Sequence, residues 1–288
     1  MHLKQETLNQ IPGLSGLTDV QHSPAYIISL TSYGTRLFDT APYAITTILN
    51  QSVKPDRVIL WLAYEDSETP EAFKALKGKG LEIRFCEDIK SYKKLVPSLR
   101  DFPDDYIITA DDDCYYPYDW FEQLLAQHRQ DPQKIVCHRA RAIQVDEQHH
   151  LLPYRLWPDF RSLDQSQQQA RRIFPTGSSG VLYPPHCLSN GIFDEGTFMR
   201  LSPKSDETWT WAMSVVNTRY FGDVNPFVMV KDSNSSQLPT IDRSQQRNGN
   251  ALFNYNEPGG KDQQLKAVAD ALPEINIFLR SIYPTVVA

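Results

Sequence analysis

Tyr106-Ile-Ile-Thr-Ala-Asp-Asp-Asp-Cys-Tyr-Tyr-Pro117 is the stretch whose reading decides the fold. An apolar, β-branched run ends in three consecutive carboxylates and a turn signal follows. That pattern predicts a buried central strand delivering acids to its C-terminal edge. Side chains alternate along a strand, so Asp111 and Asp113 are expected on one face and Asp112 on the other. Three adjacent anions at the end of a buried strand repel one another and require a compensating cation. Oxygen donors of this kind suit Mg²⁺ or Mn²⁺, which keep waters and recruit substrate phosphates to complete an octahedron. The plainer alternative is a solvated acidic loop, or a cap for a helix beginning near Pro117.

Towards the N-terminus, residues 26–30, 57–62 and 81–86 read as further strands. Helical spacing of Ile45, Ile48 and Leu49 predicts a helix over 42–50, with Asp39 or Thr40 as cap. A short helix over 71–77 is closed by Gly78 and Gly80, and one over 92–99 is kinked at Pro97. The first 115 or so residues thus run β-α-β-α-β-α-β, which predicts a mostly parallel, helix-covered sheet. Ligands bind beyond the carboxyl ends of such strands, so the loops after Leu30, Cys86 and Ala110 are expected to share one crevice.

Towards the C-terminus, we expect helices over 118–129, 194–201, 207–216 and 262–272, and strands over 134–143, 181–183 and 226–230. Residues 144–176 are Gln-rich and irregular, with Trp157 and Phe174 as anchors, and 275–283 form an apolar tail that docks on the body. Residues 1–24 read as a polar N-terminal arm and 232–260 as a long mobile loop. The second half has no βαβ rhythm of its own. We therefore expect a single α/β domain, with a nucleotide-binding half over 25–143 and an elaborated acceptor half over 144–288.

A net charge of −6 argues against a nucleic-acid surface as the main function. No apolar run approaches the ~18 residues of a membrane span, and the first residues lack a leader pattern. Cys86, Cys114, Cys137 and Cys187 are scattered with no Cys-x-x-Cys pair, so neither structural zinc nor a disulfide framework is expected. These features suit a cytoplasmic protein.

Several side chains could serve a site at the strand ends. Thr31, Ser32 and Arg36 follow the first strand, although turn chemistry and a surface Arg explain them equally well. Glu87 and Asp88 follow the third strand and could accept from a base or ribose, or simply be solvated. Lys93-Lys94 sets two cations ahead of the acidic strand; at helical spacing only one faces inward, and Lys94 is favoured. Gly177-Ser-Ser-Gly180 either lets backbone approach a ligand or makes a tight turn. Asp206-Glu207 opens a helix, where carboxylates also belong as partners of the dipole. His22, His138 and His186 are candidates for a further metal ligand, with structural roles the commoner outcome. Arg243, Arg247 and Lys261 are cations that could fold over a diphosphate as part of a lid.

Taken in order, Ile28-Ser-Leu-Thr-Ser-Tyr, Ile48-Leu-Asn-Gln-Ser, Lys54-Pro-Asp-Arg-Val-Ile-Leu-Trp-Leu, the Asp triplet, Gly180-Val-Leu-Tyr-Pro-Pro and Asp206-Glu-Thr-Trp resemble GT-A-fold glycosyltransferases, in particular a bacterial polysaccharide and lipopolysaccharide group with an Asp-x-Asp motif. The resemblance spans roughly residues 25–220. It implies a GT-A-like, Rossmann-type fold and a metal-dependent transferase that uses a UDP-sugar. The acceptor it implies is a saccharide or lipid-linked saccharide, with peripheral membrane association through that acceptor. By the same resemblance the donor contacts are Thr31, Ser32, Arg36, Glu87, Asp88, Lys94, Asp111 and Asp112. Asp111 then lies nearer the ribose, Asp113 nearer the metal, and Asp206 or Glu207 acts as the base of an inverting transfer, with Asp206 slightly favoured. A sugar-nucleotide nucleotidyltransferase is the runner-up, but its loop after strand one is glycine-rich and Thr31-Ser-Tyr-Gly-Thr-Arg is not. A binding protein on the same fold without chemistry is the rival of another class, and the intact acidic motif speaks against it.

Overall fold

The computed structural model describes residues 2–170, 172–222, 225–231, 235, 237–241 and 259–284. Its centre is a seven-stranded sheet in the order β3-β2-β1-β4-β8-β5-β9. The strands are β1 (Tyr26–Thr31), β2 (Arg57–Ala63), β3 (Leu81–Cys86), β4 (Tyr106–Thr109), β5 (Ile135–Cys137), β8 (Val181–Tyr183) and β9 (Phe227–Met229). Strands β1 to β4 are mutually parallel, β8 runs antiparallel between β4 and β5, and β9 is parallel to β5. A separate antiparallel pair joins β6 (Ala140–Ala142) to β7 (Ile173–Pro175).

Both faces of the sheet are covered, which is why its first strands are nearly continuous apolar runs. Ile27, Ile59, Trp61 and Ile107 point into one core, and Ile28, Leu30, Val58, Leu60 and Ile108 into the other. The second core is closed by α3 (Ala41–Leu49), α4 (Ala72–Lys77) and α6 (Trp120–Gln130). The first is closed by α8 (Glu195–Leu201), α9 (Asp206–Val215), α11 (Lys261–Ala271) and α12 (Pro273–Arg280). Shorter helices are α1 (His2–Asn9), α2 (Arg36–Asp39), α5 (Val96–Asp101), α7 (Gln165–Ala170) and α10 (Thr218–Phe221).

Several elements differ from the sequence reading for identifiable reasons. The strand expected over 134–143 is two strands on two sheets. At His138 the backbone N–H donates to Gly180 O (3.3 Å), and one residue later Arg139 O accepts from Thr176 N (3.0 Å), so the chain changes partner. Pro97 does not kink a helix: it sits in the first turn of α5, where its missing N–H is harmless, after a 3-10 turn over Lys90–Lys94. The apolar tail folds as α12. The polar arm is partly helical and docked, with Ile11 and Leu14 buried and Lys79 Nζ donating to Pro12 O and Leu14 O at 2.9 and 3.1 Å. Most of the loop expected over 232–260, Arg243 and Arg247 included, lies outside the described residues.

The topology decides where chemistry can occur. The carboxyl ends of β1, β3, β4, β5 and β9 meet at one end of the sheet, and β8, running the other way, begins there.

Candidate active site

The acid triplet is not strand. β4 stops at Thr109, and Asp112 and Asp113 lie in a turn, so strict alternation fails. Asp112 and Asp113 meet the same guanidinium instead: Arg36 contacts Asp112 through Nε (3.0 Å) and Nη2, and Nη2 lies 3.0 Å from Asp113 Oδ2. Ser32 Oγ donates to Asp112 Oδ2 at 2.5 Å. The turn is held by Tyr116, whose buried phenol accepts from Asp111 N (2.6 Å) and donates to Asp111 O. Residues 239–241 lie against it, with Tyr115 N donating to Pro239 O and Ile241 N to Asp113 O.

Asp111 faces the other way. Lys94 Nζ sits 2.9 Å from Asp111 Oδ1 and 3.1 Å from Asp206 Oδ2, joining the end of β4 to the start of α9. Burial alone would lower Lys94, but the two carboxylates hold it well above its ordinary value. Burial alone would raise Asp206, but the Lys94 charge holds it below the usual carboxylate range. Lys93 is buried as well and pairs with Asp88, because in a 3-10 turn the two lysines diverge onto different partners. The expectation that only one of them faces inward is therefore corrected.

Glu207 occupies the next position on α9. Its Oε2 accepts from Gly177 N (2.9 Å), and its Oε1 is paired with Lys261, the first residue of α11. Lys261 is 3% exposed and lies 4.2 Å from the centre of the Tyr154 ring and 4.9 Å from that of Phe174. A cavity of about 20 Å³, roomy enough for about one water, is bordered by Lys94, Thr109, Gly177, Asp206 and Glu207. Gly177 thus supplies a backbone donor to the site. Gly180 answers to packing: its φ is +98°, and a Cβ there would lie 2.4 Å from Trp120 Cζ2.

The remaining candidates divide. Thr31 Oγ1 donates to Trp61 O and ties β1 to β2 rather than facing the crevice. Glu87 and Asp88 are exposed beyond β3, and Lys90 and Lys93 hold Asp88 well below the carboxylate range against the opposing effect of burial. His22 pairs with Asp56, His186 with Asp104, and His138 Nε2 lies 3.0 Å from Trp120 O, so each histidine has a structural partner. Sequence reasoning missed Tyr154 and the Lys261–Glu207 pair, which no periodicity announces; Lys261 was expected over a diphosphate.

Among the described residues no three His, Cys, Asp or Glu side chains converge to cage a metal. Burial and neighbouring Asp112 raise Asp113, against the pull of Arg36. Such a carboxylate suits a cation held by one or two acids and completed by substrate phosphates. The residues fit an ion of that kind and not a self-contained site.

The sequence model described as glycosyl transferase family 2 matches residues 32–183. Among solved structures, CMP:2-keto-3-deoxy-manno-octonic acid synthetase complexed with CTP is similar at 14% identity, over 72% of this chain and 89% of that one, with a TM-score of 0.39. No curated protein matches the chain.

Proposed function

The chain belongs to glycosyl transferase family 2, and from that premise we propose that it moves a sugar from a UDP-sugar to a saccharide or lipid-linked saccharide, with metal assistance and inversion at the anomeric carbon. The observation that carries the reading is the meeting of two acidic stations through one buried lysine. The triplet at the end of β4 stands on one side and Asp206-Glu207 at the start of α9 on the other, with Lys94 between them.

The first station suits the leaving group. Asp113 would hold Mn²⁺ or Mg²⁺ together with the donor diphosphate, while Asp111, turned to Lys94, stays on the other side of the turn. The ion supplies charge neutralisation as the glycosidic bond breaks. Arg36 and Ser32 fix Asp112 and so hold the turn in shape. Lys94, already between two carboxylates, offers a point charge at the diphosphate end.

The second station suits the acceptor. An inverting transfer needs a carboxylate to take the acceptor hydroxyl's proton on the face opposite the diphosphate. Asp206 and Glu207 each have a lysine partner, Lys94 and Lys261. Glu207 is more open, with 24% of its side chain exposed against 16% for Asp206, and it lies on the side of β7 and Tyr154. We therefore place the base at Glu207 and give Asp206 the task of positioning Lys94. The test is hydrolysis of a panel of nucleotide sugars with and without Mn²⁺. Release of UDP from one or more UDP-sugars, dependent on metal, is expected; absence of turnover across the panel refutes the reading.

A further inference from the structure

Residues 139–172 carry six arginines in a chain whose net charge is −6. Two of them sit beside the second acidic station. Arg139 leaves β5 at the ligand end of the sheet, and its carbonyl accepts from Thr176 N, one residue before the Gly177 N–H that holds Glu207. Arg141 lies two residues on, within β6, opposite Phe174. Its guanidinium stacks 5.0 Å from the centre of the Tyr154 ring and donates to Trp157 O.

Tyr154 marks the centre of this group. Burial raises its phenol; Lys261, Arg141 and Arg139 act against that rise and Glu207 adds to it, and Lys261 and Arg141 lie 4.2 and 5.0 Å from the ring centre. Three cations stand there against one carboxylate. Lys261 is matched by Glu207, and Arg141 is held by a carbonyl and a ring. Arg139 is matched by nothing among the described residues. Its side chain makes no hydrogen bond or ion pair there, and its Nε is buried without an acceptor.

A half-buried guanidinium with no acceptor is costly unless something anionic completes it. Its planar fork suits a carboxylate or phosphate. The donor diphosphate belongs at the other station, with the acid triplet. We propose that the acceptor is an anionic saccharide, bearing a carboxylate or phosphate group, and that Arg139, supported by Arg141, receives that group beside Glu207. This inference rests on the assignment of Glu207 and its surroundings to the acceptor.

The test compares three probes on one type of ring: methyl glucoside, glucuronate and glucose 6-phosphate. Their affinities are measured by calorimetry with UDP and Mn²⁺ present, for the wild-type protein and for Arg139→Gln. The wild type should favour at least one anionic probe over the glucoside by about tenfold or more, the scale of a charge-assisted contact. Preference for glucuronate assigns a carboxylate, and preference for glucose 6-phosphate a phosphate. Arg139→Gln should lose most of the preference, and Arg139→Lys should keep part of it. Equal affinities in the wild type overturn the proposal whether or not the variants fold. So does a preference that survives in Arg139→Gln, or a loss of UDP affinity there with the probe preference intact. Hydrolysis of UDP-sugars by the wild type is scored separately: its absence refutes the transferase reading and leaves the probe comparison standing.

Discussion

Replacing Lys94 by Met keeps the length of the side chain and removes the one charge that lies between Asp111 and Asp206. The side chains of Lys94, Asp206 and Asp111 are 10%, 16% and 26% exposed. Removing one partner of a buried ion pair costs roughly 3–5 kcal/mol, because the remaining charge is left without compensation. Asp111 can recover some hydration, so the lower end, about 3 kcal/mol, is expected at pH 7 without metal or nucleotide. Lys94→Met/Asp206→Asn should be less unstable than the sum of its single variants by about 1.5 kcal/mol, since the two groups are in contact. The pH dependence follows from the sign of the Asp206 shift. Its folded pKa is depressed, so its stabilising contribution is present above the unfolded value of about 4 and is lost as pH falls through the folded value. The gap between wild type and Lys94→Met should therefore narrow between pH 7 and pH 3.5. Urea unfolding at the two pH values, with chelator present, measures this. A difference below about 1 kcal/mol at pH 7, or one unchanged at low pH, would refute the bridge as a stabilising element.

Asp113→Asn should abolish Mn²⁺-dependent UDP binding while leaving the circular dichroism spectrum unchanged; undiminished calorimetric affinity would remove Asp113 from the metal site. Glu207→Gln should lower transfer by roughly 10²-fold or more with little change in donor affinity, and a larger loss in Asp206→Asn than in Glu207→Gln would move the base to Asp206. Gly180→Ala should destabilise by about 2 kcal/mol or more, because the new methyl group meets Trp120 and the backbone is held at positive φ; a shift in urea midpoint too small to resolve would show that Trp120 yields.

The first half of the chain was largely legible in the sequence because a parallel sheet covered on both faces writes each strand as an apolar run. Ile27 to Leu30, Val58 to Leu62 and Ile107-Ile108 are such runs, and each was found within a residue or two of its place. The details of the acid turn were not legible. Alternation holds only while the strand continues, and β4 ends two residues before Asp111, so Asp112 and Asp113 share Arg36. Lys93 and Lys94 depart from α-helical spacing for a related reason, since the chain makes a 3-10 turn there. Lys261 reaches Glu207 from the far end of the chain, a tertiary contact that no local pattern encodes. Arg139 lies just before β6, outside the strand, so no alternation pointed to it.

The lone antiparallel strand has a consequence for the birth of the protein. β4 is flanked on one side by β1, which has already been synthesised, and on the other by β8, which ends only at Tyr183. At translation rates of about 5–20 residues per second, roughly ten seconds pass between emergence of the two strands. During that interval the nascent first half can assemble β3-β2-β1-β4 yet must carry Ile107 and Ile108 on an open edge, the kind of surface that recruits other strands. Ribosome-bound chains halted before β8 has emerged should therefore be held by chaperones, and aggregate on release, more than chains halted once β8 and then β9 have emerged.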